Sequence, residues 1–501
     1  MGAVLGFETW DNGIYYYVHA GKKKFKHMTP LSERAQRIVV EAAALWQKQT
    51  CVPFTQIDAD MAEKYYEYWQ HYDIMDEKPL PMPETNVLFT YQSSDPGART
   101  GAVANLGKVK RTDEHQVPNS VQLGEFAPPM TVVHEFGHTL GLAHTMMRGD
   151  RETYIHIAKE EYDVGDDRNF NTQRSFKGDY FKALDTPYDF GSTMHYSEMA
   201  FARGHRRTIV ARPKYEVYRD TMGSAYLSFY DVYLVNRLYK CNEKCPPRPP
   251  NEQCQNGGYP NPSQPGCGGD CLCPSGFAPP YCQMRVMSCG RVVEITEDNP
   301  KGRVKLRRPK AREVLDEERI PNDGYVVSND RRTTCNYFLT APKGRRIKLT
   351  MDVVSTEEQN DSNKGCRNSA LQIKITSDHR QTGVAFCHAH QSGTVLVTEG
   401  HIVPMLMFTT VHALWAHFTY ELTDEPPTLT VADFEHSTST YSHDEPAPSL
   451  DEMDPSGEFR KADYFDDRGW QDVLEDYLNE GYEPRPLFGL IFIAVVAYYL
   501  F

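Results

Sequence analysis

Basic residues are in short supply in this chain: 54 Lys and Arg stand against 68 Asp and Glu, giving a formal net charge of -14. Phosphate contact needs an excess of positive charge, so a general nucleic-acid binder is excluded and a protein partner is expected. The opening "MGAVLGFETW" lacks the charged head and long apolar run of a secretory leader. It also misses the myristoylation pattern, because Gly6 occupies the Ser/Thr position. The sequence is therefore expected to start downstream of a leader. There are no internal repeats, and no cysteine lies between Cys51 and Cys241.

Elsewhere cysteine is plentiful. Seven of the 12 are packed between Cys241 and Cys282, followed by Cys289, Cys335, Cys366 and Cys387. An even count with one dense Gly- and Pro-rich cluster reads as a disulfide framework made in an oxidising compartment, which implies secretion or an outward-facing position. Asn360-Asp-Ser, a glycosylation acceptor, agrees.

With 501 residues, 40% of them hydrophobic, the chain has room for several domains. Residues 1–243 mix strand-like pieces ("GIYYYVHA", "NVLFTYQ") with helical ones, an α+β pattern. In "SERAQRIVVEAAALWQKQ", Ser32 is a plausible N-cap and Ile38, Ala42 and Leu45 fall at helical spacing. Residues 244–283 are too few and too polar to bury a conventional core, so cross-links must hold them. Residues 289–422 alternate apolar and polar positions between turns ("RRIKLTMDVV", "GTVLVTE"), the signature of an all-β sandwich. Residues 423–486 turn to Pro, Ser, Asp and Glu, an acidic disordered stalk. Residues 487–501, "LFGLIFIAVVAYYLF", carry no charge; they read as a membrane anchor, either a tail helix or a lipid-anchor signal.

The chemistry concentrates in "TVVHEFGHTLGLAHTMM". On a helix His134 and His138 lie one turn apart on one face and can bite a single metal ion. Glu135 stands on the adjacent side, where it can take a proton from water. Gly141 permits a backbone turn that ends the helix, and His144 then swings back as a third ligand. Three neutral nitrogens leave tetrahedral zinc one open position, the mark of a catalytic site. An amphipathic helix with surface histidines would account for two histidines but not for the whole H-E-x-x-H-x-x-G-x-x-H string. "YDFGSTMHYSEM" supplies Met194 two residues before Tyr196, matching the Met-turn that accompanies this string.

"HEFGHTLGLAH", "RGDRETYIHI" and "STMHYS" together resemble the astacin family of zinc metalloendopeptidases, within the metzincins. The resemblance implies one Zn2+ held by His134, His138 and His144, with Glu135 as catalytic base and Met194 as hydrophobic floor. It implies that Tyr196 can ligate zinc or swing away to stabilise the oxyanion. It also implies a Cys51–Cys241 disulfide. "CQNGGYPNP" and "CLCPSGF" resemble an EGF-like module, which implies Cys245–Cys267, Cys254–Cys271 and Cys273–Cys282; the sequence by itself leaves other pairings of these six open. "CNYFLTAPKGRRIKLTM" resembles a CUB domain, implying Cys289–Cys335 and Cys366–Cys387.

The chain departs from the astacin pattern in places. Thr145 stands where a glutamate usually meets the processed N-terminus, the second disulfide of the catalytic domain is missing, and "EKPLPMPETN" lies where a loop is expected to differ. "MGSAYLS" places Ser224 or Ala225 where many members carry an arginine that favours an acidic residue just after the cut, so that preference is expected to weaken. The basic runs "GKKKFKH" and "KGRVKLRRPKAR" could touch glycosaminoglycan or a membrane surface, and solvated loops explain them about as well. His388 and His390 read as a strand pair without a full ligand set, and "ALQIK" lacks the acidic residue of a calcium-binding CUB domain.

The expected activity is hydrolysis of peptide bonds in extracellular proteins. Substrates would be proteins or peptides, and the EGF-like and CUB modules would contact matrix or cell-surface partners. The competing expectation is a catalytically silent adhesion protein that keeps the protease fold as a scaffold.

Overall fold

The computed structural model describes residues 2–430 apart from 5–8, 11, 22–24, 26–27, 71–86, 96–98, 100, 109–118, 164–165, 172–180, 184–185, 205, 225, 309–332, 357–364 and 410–412. Asn360, Ala225, the 77–86 loop, nearly all of the acidic stalk and the apolar tail lie outside the described residues. Among the described residues no helix is long and apolar enough to cross a membrane.

The first half of the protease region runs β1 (Gly2–Val4), β2 (Ile14–Val18), α1 (Glu33–Gln49), β3 (Phe54–Gln56), α2 (Ala59–Gln70), β4 (Val87–Gln92), β5 (Ala102–Ala104), β6 (Ser120–Leu123) and α3 (Pro129–Thr139). A five-stranded sheet has the order β3-β2-β4-β6-β5. Its pairs are parallel except β5 on β6. The α1 helix starts where the Ser32 side chain accepts from the Ala35 N–H, and it buries Ala35, Ile38, Val39, Ala42, Ala43 and Trp46. Leu45, expected on that face, is only partly buried; Trp46, one turn on from Ala42, takes the core position. Trp46 fills the space between α1 and α3 and donates its indole N–H to the Val133 carbonyl at 3.0 Å. Burying a side chain of this size contributes on the order of 2–3 kcal/mol.

The second half carries β7 (Ile155–Ile157), the short α4 (Asp167–Phe170), β8 (Phe181–Ala183), β9 (Ile209–Ala211) and α5 (Phe229–Leu238). β1 pairs with β8 and β7 with β9. A capping box between Ser228 and Asp231 opens α5.

Cys51 and Cys241 are joined, closing the protease region across 190 residues of sequence. Cys245–Cys267, Cys254–Cys271 and Cys273–Cys282 staple the small module. Cys289–Cys335 and Cys366–Cys387 complete the set, so every implied pairing is present and no cysteine is free.

The β region is a sandwich of two five-stranded sheets. One holds Val292–Glu294, Thr333–Thr340, Ile402–Thr409, Ser369–Ile373 and Val384–Phe386; the other holds Lys301–Arg308, Leu414–Thr423, Arg346–Thr356, Val395–Val397 and Thr428–Thr430. Alternation along Lys301–Arg308 puts Val304, Leu306 and Arg308 inward, so the described part of this basic run, 301–308, is a strand rather than a loop.

The sandwich is docked on the second half of the protease region. One apolar cluster runs from Ile155, Phe190, Tyr218 and Met222 into Ile373, Ile375, Val384 and Phe386. Polar contacts pin it. The Thr382 N–H and hydroxyl donate to the two carboxylate oxygens of buried Asp189, each at 3.2 Å. The Ala385 N–H donates to the Thr221 hydroxyl at 3.0 Å, and the Cys366 N–H to the Asp220 carbonyl at 2.8 Å.

Candidate metal centre

α3 carries His134, Glu135 and His138. It ends at Leu140, where Gly141 adopts φ +100°, a conformation that side chains with a Cβ resist. The turn returns His144 to the two helical histidines. The Nε2 atom of His144 lies 3.1 Å from that of His134 and 2.9 Å from that of His138.

The tautomers follow from the other ring nitrogens. Nδ1 of His134 is 2.7 Å from the Thr193 carbonyl, and Nδ1 of His138 is 2.7 Å from the Leu142 carbonyl. A carbonyl only accepts, so both Nδ1 atoms carry the proton and both Nε2 atoms present lone pairs. His144 could donate a proton to one of them but not to both. A cation at the centre satisfies all three. Tetrahedral zinc with Zn–N bonds of about 2.0–2.1 Å sets its nitrogens about 3.3 Å apart, close to the spacing seen, so the residues fit the ion. Burial keeps the rings neutral: it lowers His134 to about 4 and His138 to about 3, and holds His144 well below the ordinary value. For His134 the Thr193 carbonyl opposes the shift, and the positive charge of Arg367, from the sandwich, adds to it.

Glu135 is buried beside these rings, and loss of hydration pushes its carboxyl up to about 8, against the bond from the Ala104 N–H of β5. Tyr196 packs its ring on His144 with centroids 4.3 Å apart. Its phenol is held well above the ordinary value, first by burial and then by the charges of Glu135 and Asp166. Met194 is fully buried beneath the helix. A Cβ on Gly137 would lie 2.8 Å from the Met194 sulfur, so this glycine lets α3 sit directly on the methionine.

A layer below fixes the rings. Asp231 accepts from the Ser192 hydroxyl at 2.7 Å and from the Thr193 N–H at 2.8 Å, holding the strap whose carbonyl orients His134. Thr145, in the position of the usual glutamate, is buried and donates to the Ser192 hydroxyl at 3.0 Å. The sequence reading missed Ser192, Thr193 and Asp231. Ser228-x-x-Asp231 is legible as a helix start, but nothing local tells that its carboxylate also serves the metal centre.

The expected residues His134, Glu135, His138, His144, Met194 and Tyr196 therefore converge in space. Ser224 lies in the stretch against Arg367, and its hydroxyl oxygen is buried without a hydrogen-bond partner among the described residues. His388 and His390 differ from expectation: His388 caps a tight turn at Ala389–Gln391 and His390 sits within it, rather than the two sharing a strand face, and His390 reaches Asp220 at 2.9 Å. His388 also stands near Cys366 and Cys387, whose sulfurs are tied up in their disulfide.

Residues 96–240 match the family model of the astacin peptidases. These residues form an astacin domain. Over 400 residues the chain is 27% identical to zinc metalloproteinase nas-31 of Caenorhabditis elegans, spanning 80% of this chain and 54% of that protein. Over 380 residues it is 33% identical to zinc metalloproteinase nas-30 of the same nematode, spanning 75% of this chain and 40% of that protein. The chain thus spans about half the length of these curated relatives. Among solved structures, high choriolytic enzyme 1, a hatching-enzyme zinc protease of the medaka fish Oryzias latipes, aligns with 48% of this chain and 94% of its own at 20% identity and a TM-score of 0.32. The astacin domain holds the whole three-histidine centre described above.

Proposed function

We propose that the chain is a zinc metalloendopeptidase that hydrolyses peptide bonds of extracellular proteins. The observation that carries this reading is the convergence of three neutral imidazole lone pairs beside a buried carboxyl and a buried phenol. His134, His138 and His144 would hold the ion. Zinc, when bound, supplies a Lewis acid that lowers the pKa of water towards about 7 and polarises a carbonyl.

Glu135 accepts a proton from the attacking water and later delivers it to the leaving amine; burial favours its protonated form, and the positive charge of a bound ion would hold it ionised for this task. Tyr196 keeps its proton because burial and the neighbouring carboxylates oppose ionisation, so its phenol donates a hydrogen bond to the developing oxyanion. Thr193 and Leu142 hold the imidazoles in the tautomer that points lone pairs inward. The EGF-like module and the CUB sandwich select or hold substrates at a cell surface or in matrix. The six disulfides support an oxidising location, and the apolar run 487–501 serves as the membrane attachment.

Zinc content and hydrolysis of a peptide library by the full chain, with Glu135→Gln as control, test the reading. One zinc per chain, with cleavage abolished in the control while zinc is retained, is the expected result. Zinc without cleavage under any condition would favour the scaffold alternative, and well-folded protein without zinc would remove the mechanism.

A further inference from the structure

The basic strand of the sandwich has no part in the chemistry of the metal centre. Lys301–Arg308 is the edge of its sheet, and Lys301, Arg303, Lys305 and Arg307 are all exposed on one face of it. Alternate residues of a strand stand about 6.7 Å apart, so the four cations form a straight row about 20 Å long. Across from them the register sets Glu421, Thr419, His417 and Trp415, and the next strand adds Lys348 beside Glu421 and Thr350 beside Thr419. A shallow depression of about 390 Å³ opens between the strands, with Lys301, Arg303, Lys348, Thr350 and Thr419 in its lining. The acids nearby are drawn to two of the cations: Asp352 lies 3.3 Å from Arg303, and Glu421 and Glu425 lie 3.7 and 2.9 Å from Lys348. The Arg307 guanidinium lies over the Trp415 ring at 5.3 Å. Lys301 and Lys305 have no ion pair among the described residues. A lysine or two is enough to keep an edge strand from pairing with another chain, and four cations in succession exceed that need.

We infer that this face of the sandwich binds a sulfated polysaccharide, whose chain lies along the row from Lys301 to Arg307. A linear polyanion repeats its charge in one direction, as the row does, and each phosphate-like or sulfate contact made by a cation releases condensed counterions. Ammonium groups without an ion pair meet such a chain at little cost, because no existing contact has to break. A bilayer presents a plane instead, and peripheral binding to it draws on apolar side chains as well as on charge. Among the described residues, none of the exposed large apolar side chains stands on this face. Binding of this kind rests on the extracellular location read above and not on proteolysis.

The test passes the full chain over immobilised heparin in salt from about 0.05 to 0.2 M. Four proteins are compared: wild type, Lys301→Gln/Lys305→Gln, Lys301→Arg/Lys305→Arg and, with the same change of net charge, Lys64→Gln/Lys159→Gln on exposed positions of the protease region. Wild type should bind. The Lys301→Gln/Lys305→Gln pair should weaken Kd about tenfold, while the arginine pair keeps the affinity and the protease-region pair leaves it unchanged. The slope of log Kd on log salt should fall by about two in the glutamine pair, about one for each cation removed. Desulfated heparin should bind far more weakly, and vesicles of phosphatidylcholine and phosphatidylserine should not compete. Tm, expected to be unchanged, separates loss of charge from loss of fold, and Lys305→Gln alone, at about threefold, decides if the pair unfolds. No binding by wild type overturns the inference, including the case in which the chain's own acidic run 423–486 takes the face. An equal loss in the protease-region pair, equal affinity for desulfated heparin, or a preference for the vesicles overturns it too. Peptide cleavage by the same proteins is expected to be equal throughout, so failure of the heparin series leaves the endopeptidase standing, and failure of cleavage leaves the heparin series to be read alone.

Discussion

Gly191→Ala probes the docking of the sandwich at one atom. Gly191 follows the Asp189–Phe190 pair, and an added Cβ would lie 2.2 Å from Thr382 Cγ2, 2.6 Å from its Cβ and 2.7 Å from its Oγ1. Comfortable carbon–carbon contact is about 3.5–4.0 Å, so the two surfaces must part by more than an ångström or rearrange. The backbone at Gly191 is not left-handed, so alanine costs nothing there but the clash. Overpacking costs about 1–3 kcal/mol, and a misfit this large belongs at the upper end. At about 2–4 °C per kcal/mol, Tm should fall by roughly 6–12 °C. Thr382→Ala alone loses the bond to Asp189 and costs about 1 kcal/mol. In the double variant it also removes the two closest side-chain tips, so the combined loss should be smaller than the sum. Differential scanning fluorimetry of the four proteins gives the cycle. A Gly191→Ala protein within about 1 °C of wild type, or strictly additive losses, would refute the packing of Thr382 on Gly191.

Three further outcomes are expected. Asp231→Ala leaves the Thr193 N–H without its acceptor and loosens the strap that orients His134, so zinc affinity should drop about tenfold in competition with a chelator, and unchanged affinity would sever that link. Replacing Cys51 and Cys241 by Ser opens a loop of 190 residues and should cost about 2–5 kcal/mol in denaturant unfolding. Lys374 is buried with its ammonium on the His379 carbonyl, and loss of hydration lowers it from 10.5 to about 8. Between those two values the unfolded chain binds more protons than the folded one, so stability should rise with pH across the window, by at most about 3 kcal/mol, and be lowest below pH 8. Lys374→Met should flatten the slope between about pH 8 and pH 10.5, and a slope that persists in the variant would exclude Lys374 as its source.

The metal centre was legible because its spacing is local: i and i+4 on a helix, then a glycine turn, fix three side chains within eleven residues. Ser32 as a cap and the strands at Ile14–Val18 and Val87–Gln92 followed from equally local signals. The disulfide partners came from resemblance, since spacing alone does not choose among pairings. What stayed hidden is long-range. Thr382 meets Asp189 across 193 positions of sequence, and neither residue stands in a pattern that announces the other. Arg367 is one arginine among many until the fold lays it on Gly223. His388 and His390 misled for the same reason, because their local alternation suggested a strand while the chain turns there and His390 reaches Asp220.

The docking of the sandwich on the protease region has a consequence in time. A ribosome finishes the astacin match at residue 240 well before it reaches Thr382, and at about 5–20 residues per second that interval is on the order of ten seconds. Throughout it the three histidines can already gather while Asp189 still lacks its partner from the sandwich. The nascent chain thus passes through a period in which the metal site can fill while the surface that receives the sandwich is still open to water. The order of synthesis places the metal site first and the docking of the sandwich last.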